Sequence, residues 1–285
     1  MPARREGNHA IATPANIDHG QLGQHSDYVD TYTPSLLHSI ARADSRTSVG
    51  LQGATFLGED LWTGYEFSWL GPRGQPEVAG LRIRVPVNSP ALVESKSMKL
   101  YLMSFAQTRF ESRVDVLKTL DQDMALAFRA PVMVELLDLP TLSGAPAQLP
   151  GRSLDSADVR CTVYERDPDL LLDSPSDVQV RDVVYTDVFR SLCPVTGQPD
   201  WASILIEYHG EPIDDAALLR YLVSYRTHPG FHETTIELIY TDLFEKYEPL
   251  ELSVYGRFLR RGGLDINPYR SSHAGIAPAF RLARQ

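Results

Sequence analysis

Two pentapeptides decide how the chain is organised: Tyr101-Leu102-Met103-Ser104-Phe105 and Tyr221-Leu222-Val223-Ser224-Tyr225, at an offset of 120 (221 − 101). Each sets bulky side chains at helical spacing. Each is followed a few residues on by a phenylalanine and an acid, Phe110-Glu111 in the first and Phe231-His232-Glu233 in the second. The flanking patterns recur in the same order. Residues 62–70 and 78–87 read as strands joined by the turn Gly71-Pro72-Arg73-Gly74. Val114, Leu117, Leu120 and Met124 fall at helical spacing, and Val132, Val134 and Leu136 alternate as a strand. In the second half, 201–208 predicts a strand ending in the turn His209-Gly210-Glu211-Pro212. Asp214 can cap a helix carrying Leu218, Tyr221, Leu222 and Tyr225. A further helix is expected over 231–247, and Leu250, Leu252, Val254 and Phe258 alternate as a strand.

A duplicated β-β-α-α-β unit follows from this order. Each copy buries its helices on one face of an antiparallel sheet, an α+β fold, and a site is expected where the modules meet. The reading divides the chain into an N-terminal arm (1–50), a first module (51–145) and a second module (146–285), with a Pro- and Gly-rich link over 139–151. The arm is polar apart from 32–40, which is expected to pack on the body.

Bulk properties narrow the function. With 43% hydrophobic and 22% charged residues, 285 residues suit a soluble globular protein of one or two domains. No run approaches the ~18 apolar residues of a membrane span, and residues 1–9 lack the apolar core of a signal peptide. A net charge of −10 argues against direct nucleic-acid or acidic-membrane binding. Only two cysteines, Cys161 and Cys193, fit reduced thiols in a cytoplasm. Against the acidic average, Arg257, Arg260, Arg261, Arg270, Arg281 and Arg284 crowd the C-terminal end beside one acid, Asp265. That cluster is either a site for a small anion such as a phosphate or a solvated tail.

Chemistry concentrates around Cys193, in Ser191-Leu192-Cys193-Pro194-Val195-Thr196-Gly197-Gln198-Pro199-Asp200. Two prolines and a glycine make this a rigid loop, where a thiol is better placed for reaction than in a core strand. Cys161, within Val159-Arg160-Cys161-Thr162-Val163-Tyr164, reads instead as a packing residue. A free thiol titrates near ~8.5, so a nucleophile needs a proton acceptor; Asp200 is near in sequence, and His232 can approach in space. His232 and Glu233 open a helix, where acids are favoured anyway, and Glu94-Ser95-Lys96-Ser97 opens its counterpart as a capping arrangement. A carboxylate at either place could accept the adjacent donor pair of a guanine-like base. No Gly-x-Gly-x-x-Gly, P-loop or zinc-ligand spacing occurs. The residues alone leave open an enzyme with a Cys nucleophile, a thiol hydrolase using Cys193 and His232, and a non-catalytic purine-binding module.

The 191–201 segment with its terminal Trp201, Glu94-Ser95-Lys96-Ser97-Met98-Lys99-Leu100-Tyr101, Phe231-His232-Glu233, Leu252-Ser253-Val254-Tyr255 and the run from Arg260 to Pro268 together resemble the QueF family. The likeness runs from Asp27-Tyr28 to the C-terminus. It implies the longer form of the family: tandem tunnelling-fold modules assembled as a homodimer. The implied activity is NADPH-dependent reduction of 7-cyano-7-deazaguanine, in biosynthesis of the tRNA nucleoside queuosine. The resemblance further implies that Cys193 adds to the nitrile to give a thioimide, with Asp200 as acid/base and His232 assisting. It assigns Val93, Glu94, Ser95, His232 and Glu233 to the substrate, and Ser95, Lys96, Arg261 and Gly262 to NADPH. A nitrile becomes a primary amine by taking up four electrons, hence two NADPH per turnover.

Overall fold

Ala79, Leu81, Ile83 and Val85 alternate along one strand and are almost completely buried, the period of two expected where one sheet face meets a core. They belong to a computed structural model that describes residues 28–173 and 176–285; residues 1–27 of the expected arm lie outside it. Chain order runs β1 (Ser39–Ala41), α1 (Arg42–Ser48), β2 (Leu57–Leu70), β3 (Pro76–Pro86), β4 (Ala91–Val93), α2 (Ser95–Met103), α3 (Arg113–Phe128), β5 (Met133–Leu137) and a single turn α4 (Leu139–Leu142). It continues through β6 (Arg152–Ser153), β7 (Val180–Leu192), β8 (Pro199–Gly210), α5 (Asp215–Ser224), α6 (His232–Tyr247), β9 (Glu251–Phe258) and β10 (Leu264–Ser271).

One sheet of eight strands, ordered β5-β3-β2-β10-β9-β8-β7-β6, spans both halves, and β1 pairs separately with β4. All pairings are antiparallel except the short β6 against β7. The helices lie on one face over two apolar clusters. Trp62, Leu81, Ile83, Met98, Tyr101, Leu120 and Phe128 fill the first. Phe189, Ile204, Leu218, Tyr221, Ile236, Leu243 and Phe258 fill the second. The opposite face carries a smaller cluster of Leu61, Leu205, Tyr255, Tyr269 and Ala277, supplied partly by the C-terminal segment. The expected α+β architecture, with helices on one side of an antiparallel sheet, is therefore the observed one. The expected arm residue Tyr32 packs its ring edge-on against Phe105 at 5.2 Å.

The two halves share local devices as well as element order. Bulges interrupt the first hairpin between Gly64 and Phe67 and the second between Thr186 and Phe189. Leu70 is bridged to Arg109, and Leu192 to Pro229. The Tyr101 hydroxyl donates to Asp123, as Tyr221 does to Asp242. The Ser104 and Ser224 hydroxyls each donate to the carbonyl three residues back, at 2.6 Å. Asp214 caps α5 as expected, its carboxylate accepting from the Ala217 amide at 2.6 Å.

Three points depart from the sequence reading. The 13-residue strand β7, which leads to Cys193, was not anticipated, because its pattern changes phase at its bulge. β10 went unanticipated because Asp265, Asn267, Pro268 and Arg270 make it look like a loop, although every residue of it is buried. Cys161 is half-buried in an irregular segment and joins none of the core clusters.

The two halves of the sheet are joined by β2 against β10, from Leu264↔Gly64 to Ser271↔Leu57. Gly58 makes the closest approach there: with φ at +124°, a Cβ would stand 2.1 Å from the Tyr269 carbonyl oxygen. Gly58→Ala is expected to destabilise the protein by at least ~2 kcal/mol. Gly53→Ala, also at positive φ (+75°) but with nothing within 4 Å, should cost only about 1 kcal/mol. Equal melting temperatures for the two variants would contradict this account of the junction.

Candidate active site

A cavity of about 480 Å³ opens between elements of the two halves. Its first wall comes from the β1–β4 pair, where Ile40 lies opposite Leu92 and Ser39 opposite Val93, and from the start of α2. Glu94 is the N-cap of that helix. Its carboxylate accepts from the Lys96 and Ser97 amides at 2.6 and 2.8 Å, satisfying two donors that a helix start leaves unpaired. Ser95, Lys96 and Lys99 then face the cavity from the first turns.

The second wall is the tip of the β7–β8 hairpin. Cys193 closes the loop, its amide donating to the Gln198 carbonyl at 2.9 Å and its carbonyl accepting from Gly197 at 3.0 Å. Two further bonds tie the hairpin to the entrance of α6: Leu192 N–H to the His228 carbonyl (2.9 Å) and Gly230 N–H to the Leu192 carbonyl (3.0 Å). These bonds set His232 and Glu233, in the first turn of α6, beside the loop of Cys193. The third wall is the β9–β10 hairpin with Leu259, Arg261, Leu264 and Ile266. Its two-residue turn, Gly262-Gly263, needs positive φ at both positions (58° and 76°), which glycine supplies.

Asp200 is the electrostatic centre. It is 6% exposed, with Arg261 3.1 Å and His232 Nε2 3.5 Å from its carboxylate. Burial opposes its charge, but the hydrogen bond from His232, with Arg261 and Lys99 behind it, holds its pKa below the usual carboxylate value. The His232 ring stacks flat on Phe258 at 3.7 Å, which fixes its plane. Arg261 is fixed in turn by donating to the Pro199 carbonyl. Lys99 has its pKa lowered by burial and by the like charge of Arg261, while Glu94, Asp200 and Cys193 act the other way. Glu233 is 4% exposed, and burial, reinforced by Asp60, pushes its pKa up to about 7. Two carboxylates in one cavity are thus driven in opposite directions, the usual arrangement when they have different tasks.

Cys193, Asp200, His232, Glu233, Val93, Ser95, Lys96 and Arg261 all line this cavity. Glu94 stands directly behind the wall as a cap, its carboxylate retaining lone pairs beyond the two amides it accepts. Gly262 lies at the exposed turn beside Lys99 rather than on the wall. The basic C-terminal cluster is dispersed. Arg257 is buried against Gln285, Arg270 is buried on Glu237, Arg260 lies over the Tyr65 ring, and only Arg261 reaches the cavity. Lys99 received no role in the sequence reading. The signal was its place one turn beyond Lys96 on the same helix face.

Two family models match: "Nitrile reductase, 7-cyano-7-deazaguanine-reductase N-term" over residues 28–136 and "QueF-like protein" over 199–275. Relatives named NADPH-dependent 7-cyano-7-deazaguanine reductase come from Hahella chejuensis (45% identical, covering 94% of this chain and 98% of the relative) and Albidiferax ferrireducens (47%, 96% and 99%). Another, from Verminephrobacter eiseniae, is 47% identical over 93% of this chain and 97% of its own. The chain belongs to the QueF family of nitrile reductases.

Asp200 gives a pH-dependent stability with a fixed sign. Its folded pKa lies below its unfolded one, so its contribution is full above the unfolded value of about 3.9 and fades as pH falls through the folded value. Thermal melts of wild type and Asp200→Asn should therefore differ more at pH 7 than at pH 3. A gap that widens on acidification would contradict the assignment.

Proposed function

We propose that this chain reduces the nitrile of 7-cyano-7-deazaguanine to an aminomethyl group with NADPH, through a covalent thioimide on Cys193. The observation that carries the reading is the convergence of Cys193, Asp200, His232 and Glu233 on one cavity, in a chain 45–47% identical to relatives named for this reaction.

Cys193 Sγ forms a bond to the nitrile carbon as one π bond of the C≡N group breaks, and the thiol proton passes to nitrogen, so a C–S and an N–H bond replace an S–H bond and a C–N π bond. Asp200 serves as the acid/base because its surroundings keep it ionised, ready to take the thiol proton and hand it to nitrogen. His232, against the same carboxylate, assists that transfer. Once the adduct carbon has been reduced, the C–S bond breaks and Cys193 leaves as a thiolate, which regains a proton from solvent, with Asp200 and His232 placed to relay it. Glu233 and Glu94 accept the amino and ring N–H donors of the base, with Val93, Ser95 and His232 lining the pocket.

The residues present fit NADPH. Lys99 and Arg261 are held close enough at the cavity to oppose one another's charge, with Lys96 beside them, an arrangement that suits a phosphate-bearing ligand without a glycine-rich loop. Ser95, Lys96, Arg261 and Gly262 are the positions that would hold it. When bound it supplies hydride, two equivalents for each nitrile. Among the described residues no helix is long and apolar enough to cross a membrane. The reading includes a cytoplasmic homodimer serving queuosine biosynthesis on the free base, for which an acidic chain presents no electrostatic conflict.

Intact-protein mass spectrometry after incubation with 7-cyano-7-deazaguanine should show a gain equal to the nitrile's mass, located on Cys193 and discharged by NADPH. Cys193→Ala should give neither adduct nor turnover, and substantial nitrile reduction by that variant would sink the nucleophile assignment. Lys96→Ala and Arg261→Ala should raise the KM for NADPH at least tenfold, about 1.4 kcal/mol, with a smaller change for the nitrile. The reverse ranking would remove the cofactor role.

A further inference from the structure

Beneath the first turn of α6 lies a set of buried charges that the reaction does not use. Asp60 on β2 is 1% exposed and sits between Arg42 (2.9 Å) and Arg270 (2.8 Å). Glu237, one turn after Glu233 on α6, is fully buried and accepts from Arg46 with both oxygens (2.8 and 2.9 Å) and from Arg270 (2.9 Å). Arg42 is itself fixed to the Ser89 carbonyl and hydroxyl at 3.0 and 2.8 Å. Arg42 and Arg46 come from α1, which directly follows β1; β1 carries Ile40 into the cavity wall. The network thus ties the α1 segment, the β2–β10 junction and α6 together below Glu233.

We propose that the buried Arg42–Asp60 pair is a positioning device for Glu233, setting the charge with which that carboxylate meets the deazaguanine donors. The inference rests on the substrate role given to Glu233 above. Geometry supplies the means. Glu233 is buried one turn before Glu237 on α6, and Glu237 lies 3.8 Å from Arg42, which in turn holds Asp60 at 2.9 Å, so one neighbour of each sign stands by that turn. Asp60 is kept ionised despite burial by Arg270 and Arg42, so its repulsion of Glu233 is permanent. Arg42 and the adjacent His232 oppose that repulsion. The remaining charged groups on the surrounding elements are Glu237 on α6, Arg46 on α1, Arg270 on β10, Glu94 and Lys99 on α2, and Asp200 on β8. Of these, Glu237 pairs with both Arg46 and Arg270, and Arg270 is shared with Asp60. Because the base offers only donors to Glu233, binding selects the carboxylate form, and affinity must fall as pH drops through the titration of Glu233.

The test is the pH dependence of kcat/KM for 7-cyano-7-deazaguanine, which reports free-enzyme ionisations, measured at saturating NADPH. Asp60→Asn removes repulsion and should move the Glu233 limb to lower pH, raising the ratio of kcat/KM at pH 6 to that at pH 8 about threefold, a shift of about half a pH unit. Arg42→Gln removes attraction and should lower the same ratio about threefold, while Arg42→Lys restores it towards wild type. Opposite displacements from two neighbouring substitutions are not what general damage to the fold produces. Glu233→Gln should lose the limb altogether. If Glu233→Gln keeps it, the substrate role of Glu233 is wrong. If Glu233→Gln loses it while Arg42→Gln leaves it in place, the positioning proposal is overturned and the substrate role stands. Should Asp60→Asn fail to fold, the two Arg42 variants decide the matter. Unmodified enzyme gives an independent reading: calorimetric titration near pH 7 in two buffers of different ionisation heat should show proton release on binding the nitrile, and its absence also overturns the proposal.

Discussion

The antiparallel register of β2 against β10 is the constraint on which the rest depends. It joins the helix-covered halves into one sheet, and β10 supplies Leu264 and Ile266 to the cavity. The same pairing brings Asp60 and Arg270 into the interior, where isolated charges are strongly disfavoured. Buried ions are tolerated only when their partners are complete. Arg42, Arg46 and Glu237 complete them, which anchors α1 and α6 to the junction. The walls of the cavity are thereby held by ionic geometry as well as by apolar packing, and ion pairs restrict orientation more sharply than methyl contacts do.

The cavity separates two carboxylates by their surroundings. Asp200 meets the His232 edge, Arg261 and the more distant Lys99, all of which favour its anion. Glu233 meets burial and another acid, which oppose its anion. Two side chains of one type are thus given opposite proton affinities by position alone. Phe258 adds a planar support for His232, so the imidazole edge rather than its face is turned to Asp200.

Much of this was legible in the sequence, and what escaped has physical causes. The repeat showed in Tyr101–Phe105 and Tyr221–Tyr225 because those residues face the cores and keep helical spacing. Cys193, Asp200 and Arg261 were visible through long motifs rather than through periodicity. β10 escaped because its polar residues are buried by pairing with groups more than 200 positions away in some cases, such as the Asn267 side-chain amide on the Leu61 carbonyl. No local pattern records such a partner. β7 escaped because its bulge reverses the alternation midway. The C-terminal arginines misled for the opposite reason: adjacency in sequence suggested one surface, while successive strand positions point to opposite faces and send Arg257 and Arg270 inward.

The separation of β2 from β10 along the chain also bears on biosynthesis. The first hairpin leaves the ribosome about 200 residues before the strand that will cover its inner edge. At ~5–20 residues per second that interval is of the order of 10–40 s. During it β2 presents unpaired backbone groups beside the Asp60 carboxylate, a strand edge open to adventitious pairing. Completion of the sheet is therefore a late, high-contact-order event that closes the cavity and satisfies the buried ions in one step. Synthesis and folding of this chain are coupled through β10, so truncation shortly before that strand would leave the β2 edge open rather than a smaller functional domain.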